Sequence, residues 1–148
     1  MDFKLELVLI GVADPDRAKA FYEEQAGFRL DVDHGAGDSF RVIQFTPPGS
    51  ACSIAFGVGI TTTEPGATKG LHLVVTDIEG SRAQLAGRGI DVSGVFHDAG
   101  GIFHRTGDEG HVPGPDPERR SYASFASFSD PDGNGWVLQE ITTRLPGR

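Results

Sequence analysis

The sequence predicts an α+β fold of two tandem βαβββ modules, and three observations carry that expectation. Glycine supplies 21 of the 148 residues and proline another 9, a density of turn formers that suits many short elements better than a bundle of long helices. A strand-Asp-helix opening occurs twice, as Val12-Ala13-Asp14 and Val75-Thr76-Asp77. A turn between strands also recurs, as Thr46-Pro47-Pro48-Gly49 and Asp130-Pro131-Asp132-Gly133. Equivalent positions lie further apart in the second half, which therefore carries an insertion, placed at about 97–120. The whole of 1–148 reads as one domain, with module 1 over about 5–58 and module 2 over about 70–142.

Residues 5–12, LELVLIGV, are an apolar run of strand length. Asp14 then caps a helix and Pro15 takes its first position. The helix is expected to reach about Gln25, with Ala18, Phe21 and Tyr22 on one face and Gly27 ending it in a left-handed conformation. Strands follow near 28–33, 39–46 and 51–58, separated by HGAGD and PPGSA. The second module opens with LHLVVT at 71–76, after which Asp77 caps a helix over 78–86 that ends at Gly87 and Gly89. Its further strands fall near 91–96, 122–128 and 135–142. The last two are joined by SDPDGNG, whose Asp-Gly and Asn-Gly pairs signal a hairpin.

The formal charge of −8, from 13 basic and 21 acidic residues, sets the protein's field against phosphate backbones and anionic lipid surfaces, so neither nucleic acid nor membrane is an expected partner. No apolar run approaches the roughly 20 residues of a membrane span. The opening MDFKLELVLIGV is followed by charge rather than a small-residue cleavage site, so a cytoplasmic location is expected. Cys52 is the only cysteine and cannot form an intramolecular disulfide. It shares parity with Ile54 and Phe56 and reads as a small core residue. No Walker motif, G-x-G-x-x-G or G-x-S-x-G occurs.

The paired modules, the two strand-Asp-helix openings and SDPDGNGWVLQE together resemble the vicinal oxygen chelate superfamily, the glyoxalase, bleomycin-resistance and extradiol dioxygenase group, over roughly 5–142. The resemblance implies that the modules curl into a cupped mixed sheet of about eight strands and that the chain pairs as a homodimer. In many members four positions, two per module, hold a divalent metal. Carried over residue by residue, they fall on Leu7, Ser53, Gly70 and Val137. Leu, Gly and Val offer no donor and serine alone is a poor one, so no metal and no other cofactor is expected. A two-residue slip in register would keep the face and bring His72 to the site.

By strand alternation, the residues sharing parity with those positions face into the implied cup: Leu7, Leu9, Ser53, Ala55, Gly70, His72, Val74, Val137 and Gln139. Val8, Ile10, Ile54, Phe56, Leu73, Val75, Trp136 and Leu138 face the helices. Ser53, His72 and Gln139 are the polar groups of a mostly apolar pocket, unless His72 and Gln139 only hydrogen-bond each other or water. Glu140 reads as a strand-end surface carboxylate. The insertion carries His97, His104 and His111 with Asp98, Asp108 and Glu109, a composition that can bind metal, but its glycines and prolines exclude a continuous helix. It reads as a long loop over the pocket mouth, with Phe103, His104, Arg119 and Tyr122 at the rim. Arg119 and Arg120 either meet a ligand's carboxylate or phosphate or answer an acidic surface.

Three functions follow from this reading. The first is metal-independent binding of a small apolar or aromatic molecule. The second is a glyoxalase-like lyase or isomerase with His72 as general base. The third is a metal-dependent dioxygenase or lyase that uses His72 and the loop histidines.

Overall fold

Hydrogen bonding distributes the strands between a four-stranded and a five-stranded sheet. The computed structural model describes residues 1–101, 103–105 and 109–146. It separates into two units, one of Met1–Lys69 with Ser129–Gly135 and one of Gly70–Phe128 with Trp136–Arg148.

In the first unit, β1 (Leu7–Leu9) lies parallel to β4 (Ser53–Val58), and β3 (Arg41–Thr46) and β2 (Arg29–Gly35) continue the sheet antiparallel, in the order β1-β4-β3-β2. Helix α1 (Pro15–Ala20) starts as the sequence predicts, with the Asp14 carboxylate accepting from the Asp16 and Arg17 N–H groups at 3.1 and 3.2 Å. The remaining expected helix is a π-helical turn, Phe21–Gln25, closed by the Ala26 N–H on the Phe21 carbonyl at 2.9 Å. Phe21 and Tyr22, expected on one helical face, are both buried in this turn. Tyr22 packs on Phe28, Phe45 and Phe56 at centroid distances of 5.6, 6.0 and 5.7 Å, so Phe56 lies on the helix-facing side that its parity predicts. Gly27 ends the segment at φ 75°.

The Ser129–Gly135 turn is more than a hairpin loop. The buried Asp130 carboxylate accepts from the N–H groups of Asp132 and Asn134, from Asn134 Nδ2 and from the Tyr22 hydroxyl, all at 2.8–2.9 Å. Asn134 Nδ2 also donates to the Gly11 carbonyl at 2.8 Å. Asp132 Oδ1 accepts from the Ala13 N–H and from Arg17 Nη2, each at 3.0 Å. Gly66, at φ 78°, lies against the Asp132 carbonyl, which a Cβ would overlap.

In the second unit the sheet order is β5-β9-β8-β6-β7. The strands are β5 (Leu71–Val75), β6 (Phe96–Asp98), β7 (His111–Pro113), β8 (Phe125–Ser129) and β9 (Gly135–Glu140), with α2 (Ile78–Gly87) after β5. Three expectations are corrected here. The strand expected near 91–96 does not form, because the Ser93 hydroxyl takes the Ser127 N–H at 2.9 Å where a ladder carbonyl would stand; Phe96 alone of that stretch enters a strand. The strand expected from 122 starts at Phe125, since Tyr122 sits at φ 72°, outside the extended region. The insertion is not structureless, because β6 and β7 pair within it in the register Phe96↔Pro113, His97↔Val112 and Asp98↔His111.

Glu140 is likewise corrected. It is 2% exposed rather than a surface carboxylate, bound by Arg119 Nε and Nη2 at 3.0 and 2.7 Å and by the Ile78 N–H at 2.9 Å. Arg119 is the principal cause of its lowered pKa, with burial opposing.

Candidate functional site

In the first unit the register sets Leu7 opposite Ser53 and Leu9 opposite Ala55. Leu7 and Leu9 are partly exposed at 39% and 38%, whereas Ser53 and Ala55 are buried. A bulge between Leu30 and Val32 turns Asp31 out of register, and its carboxylate accepts the Thr46 hydroxyl. The Thr46 proton is thereby committed, so Ser53 donates to Thr46 across the 2.6 Å between their hydroxyls. The Thr46 bond, followed by the one from Arg29, holds Asp31 below the usual carboxylate range.

In the second unit His72 pairs with Val137 and Val74 with Gln139. Opposite Val137, His72 takes the place that Leu7 has opposite Ser53, which is the two-residue slip weighed above. Gly70 precedes the strand, exposed, at φ 78°. Leu7 and Ser53 in the first unit thus offer one hydroxyl, already bonded to Thr46, and His72 and Val137 in the second offer one imidazole. Among the described residues no three of His, Cys, Asp or Glu are placed to hold a metal ion. This donor set does not fit the four-ligand centre that the resemblance implies.

The same unit contains a recess of about 530 Å³. Val95, Val112, Pro113 and Val137 give it aliphatic walls, and Phe96, His104 and His111 give it aromatic ones. The rings form a cluster. Phe96 stacks on His111 at 4.1 Å and on Phe125 at 5.7 Å, and His104 meets Phe125 edge-on at 4.5 Å. His72 stacks on His104 at 6.0 Å.

A carbonyl only accepts, and this fixes two tautomers. His72 Nδ1 donates to the Gly70 carbonyl at 2.7 Å and His104 Nδ1 to the Arg105 carbonyl at 3.0 Å. In the neutral rings both Nε2 atoms are therefore acceptors. The segment that carries His104 is pinned by the buried Asp98, which accepts from the Gly100 and Arg105 N–H groups at 2.7 and 3.0 Å. The Gly100 bond is the first cause of the lowered Asp98 pKa.

Of the residues expected from parity and the loop, Val137, His104 and His111 line this recess and His72 adjoins it through His104. Gln139 and His72 do not bond each other; Gln139 Nε2 donates to the Tyr122 carbonyl at 3.1 Å. Val74 is 46% exposed. Phe103 lies 6.2 Å from the buried Tyr122 ring, whose hydroxyl accepts the Leu145 N–H. His97 Nδ1 donates to the Gly114 carbonyl at 2.8 Å. Arg119 is bound to Glu140, and Arg120 grips Asp116 with Nε and Nη2 at 3.0 and 2.8 Å, so both arginines answer internal carboxylates. Asp108 lies outside the described residues. Phe96 and Phe125 are not among the site residues that the sequence predicts; the β6–β7 pairing and the Phe96↔Phe125 pairing bring them to the histidines.

A model of the Glyoxalase/Bleomycin resistance protein/Dioxygenase superfamily matches residues 4–138. Among solved structures, the chain is similar to TnmS3, an antibiotic binding protein from Streptomyces sp. CB03234, at 29% identity and a TM-score of 0.69, covering 95% of this chain and 98% of that one. A glyoxalase/bleomycin resistance protein from the same organism is similar at 30% identity and a TM-score of 0.65, over 92% and 99% of the two chains. A superfamily member from Sphaerobacter thermophilus DSM 20745 follows at 26% and 0.66, over 94% and 98%. No curated protein sequence matches the chain.

Proposed function

The chain belongs to the glyoxalase/bleomycin resistance protein/dioxygenase superfamily, and from that membership we propose that it binds a small, largely apolar aromatic molecule in the recess of its second unit, without the family's metal. The observation that carries this reading is the ring cluster of Phe96, His104 and His111 facing aliphatic side chains in about 530 Å³, a volume within the usual range for small ligands. A flat aromatic ligand gains stacking on these rings and apolar contact with Val95, Val112 and Val137. The His104 Nε2 acceptor orients a ligand hydroxyl. The similarity to TnmS3, an antibiotic binding protein, supports the same reading.

A second reading, proton abstraction by His72, is favoured by its Nδ1–H tautomer, which leaves Nε2 as the basic nitrogen. Titration of an aromatic library by calorimetry, followed by mass spectrometry of the mixture, separates the two: sequestration returns the ligand unchanged and catalysis returns product. Phe96→Ala is expected to weaken binding roughly 10- to 100-fold, the loss of one buried ring contact. Unchanged affinity in that variant would sink the recess as the site.

A further inference from the structure

A second recess, of about 460 Å³, shares Gly94 and Val95 with the first and continues past Pro113 to Gly114 and Pro115. Where they meet, the Gly114 N–H donates to the Val95 carbonyl at 2.7 Å, and a Cβ added at Gly94 or Gly114 would meet open space. The character changes across the boundary, because the second recess is lined by Glu79 and Arg82 of α2 where the first presents rings.

Resting on the binding proposed above, we propose that the second recess is the polar half of the same site and takes a polyhydroxylated, glycosyl-type substituent of the aromatic ligand. Arg82 is held in place, donating from Nε to the Ser93 carbonyl at 2.9 Å and from Nη2 to the Val92 carbonyl at 3.3 Å, which leaves Nη1 to face a ligand oxygen. Glu79 is exposed on the first turn of α2, an acceptor for hydroxyl protons. A ligand ammonium would be attracted by Glu79 and opposed by Arg82, and a ligand anion the reverse. Neighbouring hydroxyls donate to one and accept from the other, so a sugar satisfies both at once.

The test compares 2-naphthol with 2-naphthyl β-D-glucopyranoside by fluorescence titration of the intact protein. The glucoside is expected to bind about tenfold tighter, the gain of one or two hydrogen bonds to charged groups. Glu79→Ala removes that advantage and leaves 2-naphthol affinity unchanged, whereas Glu118→Ala, at an exposed acidic residue elsewhere, alters neither. A glucoside that binds no tighter than 2-naphthol, or an advantage that survives Glu79→Ala, overturns the polar half while the aromatic recess stands. If neither probe binds, or Phe96→Ala changes neither affinity, the recess reading falls and this inference with it.

Discussion

His104 meets four rings, those of His72, Phe96, His111 and Phe125, and its Nδ1 proton is spent on a backbone carbonyl. Position and tautomer are thus set by neighbours, the preorganisation a binding site needs to avoid ordering costs when ligand arrives. Asp116 shows the same principle in a structural role. Buried and gripped by the Arg120 guanidinium, its carboxyl is lowered from 3.8 to about 2. A lowered folded-state pKa means a stability contribution complete above the unfolded value and lost as pH falls through the folded one. Urea midpoints are therefore expected to drop between about pH 4 and pH 2, and Asp116→Asn, which has no carboxylate to protonate, to flatten that part of the profile. At this scale alternation puts His72 and Val137 on one parity, and the register pairs them. The sequence is silent on Phe96 and Phe125, which meet the histidines through pairing between strands distant in sequence. It also misplaces Glu140, whose burial depends on Arg119 reaching it from the insertion.

Among the elements, the Ser129–Gly135 turn binds at both ends of the chemistry available to it, with Asp130 as acceptor and Asn134 as donor. Asp130→Ala is expected to cost about 3 kcal/mol in urea unfolding, because the Tyr22 hydroxyl, the Asn134 amide and two backbone N–H groups would lose their acceptor. Asp130→Asn keeps one acceptor oxygen and is expected to lose less. Most elements are legible from their caps and turn residues: Asp14, Asp77, Gly27 and the Asp-Gly pair all serve as read. The exceptions have local causes. The π-helical turn has the same buried face that an α-helix would present, so periodicity does not reveal it, and the insertion hides the short β6–β7 pair because three-residue strands rich in glycine and charge nearby give no alternation to detect.

For the molecule as a whole, the family match over residues 4–138 agrees with the resemblance read from the repeated openings and the SDPDGNGWVLQE segment. The fold is legible because two modules repeat the same grammar, which single residues of a pocket do not. No helix among the described residues is long and apolar enough to cross a membrane. Since the donor set does not fit the family's metal, dialysis against a chelator is expected to leave both the thermal midpoint and aromatic binding unchanged. A lowered midpoint, restored by a divalent metal, would show a resident ion. The chain-distant Ser129–Gly135 turn also sets an order of events during synthesis. Residues 1–69 leave the ribosome several seconds before that turn at ordinary translation rates. Until it arrives, the Tyr22 hydroxyl, the Gly11 carbonyl and the Ala13 N–H lack the partners they have in the finished unit. The first half of this protein to be made is therefore among the last to be completed, and a nascent chain stopped before Ser129 exposes an unfinished core to chaperones.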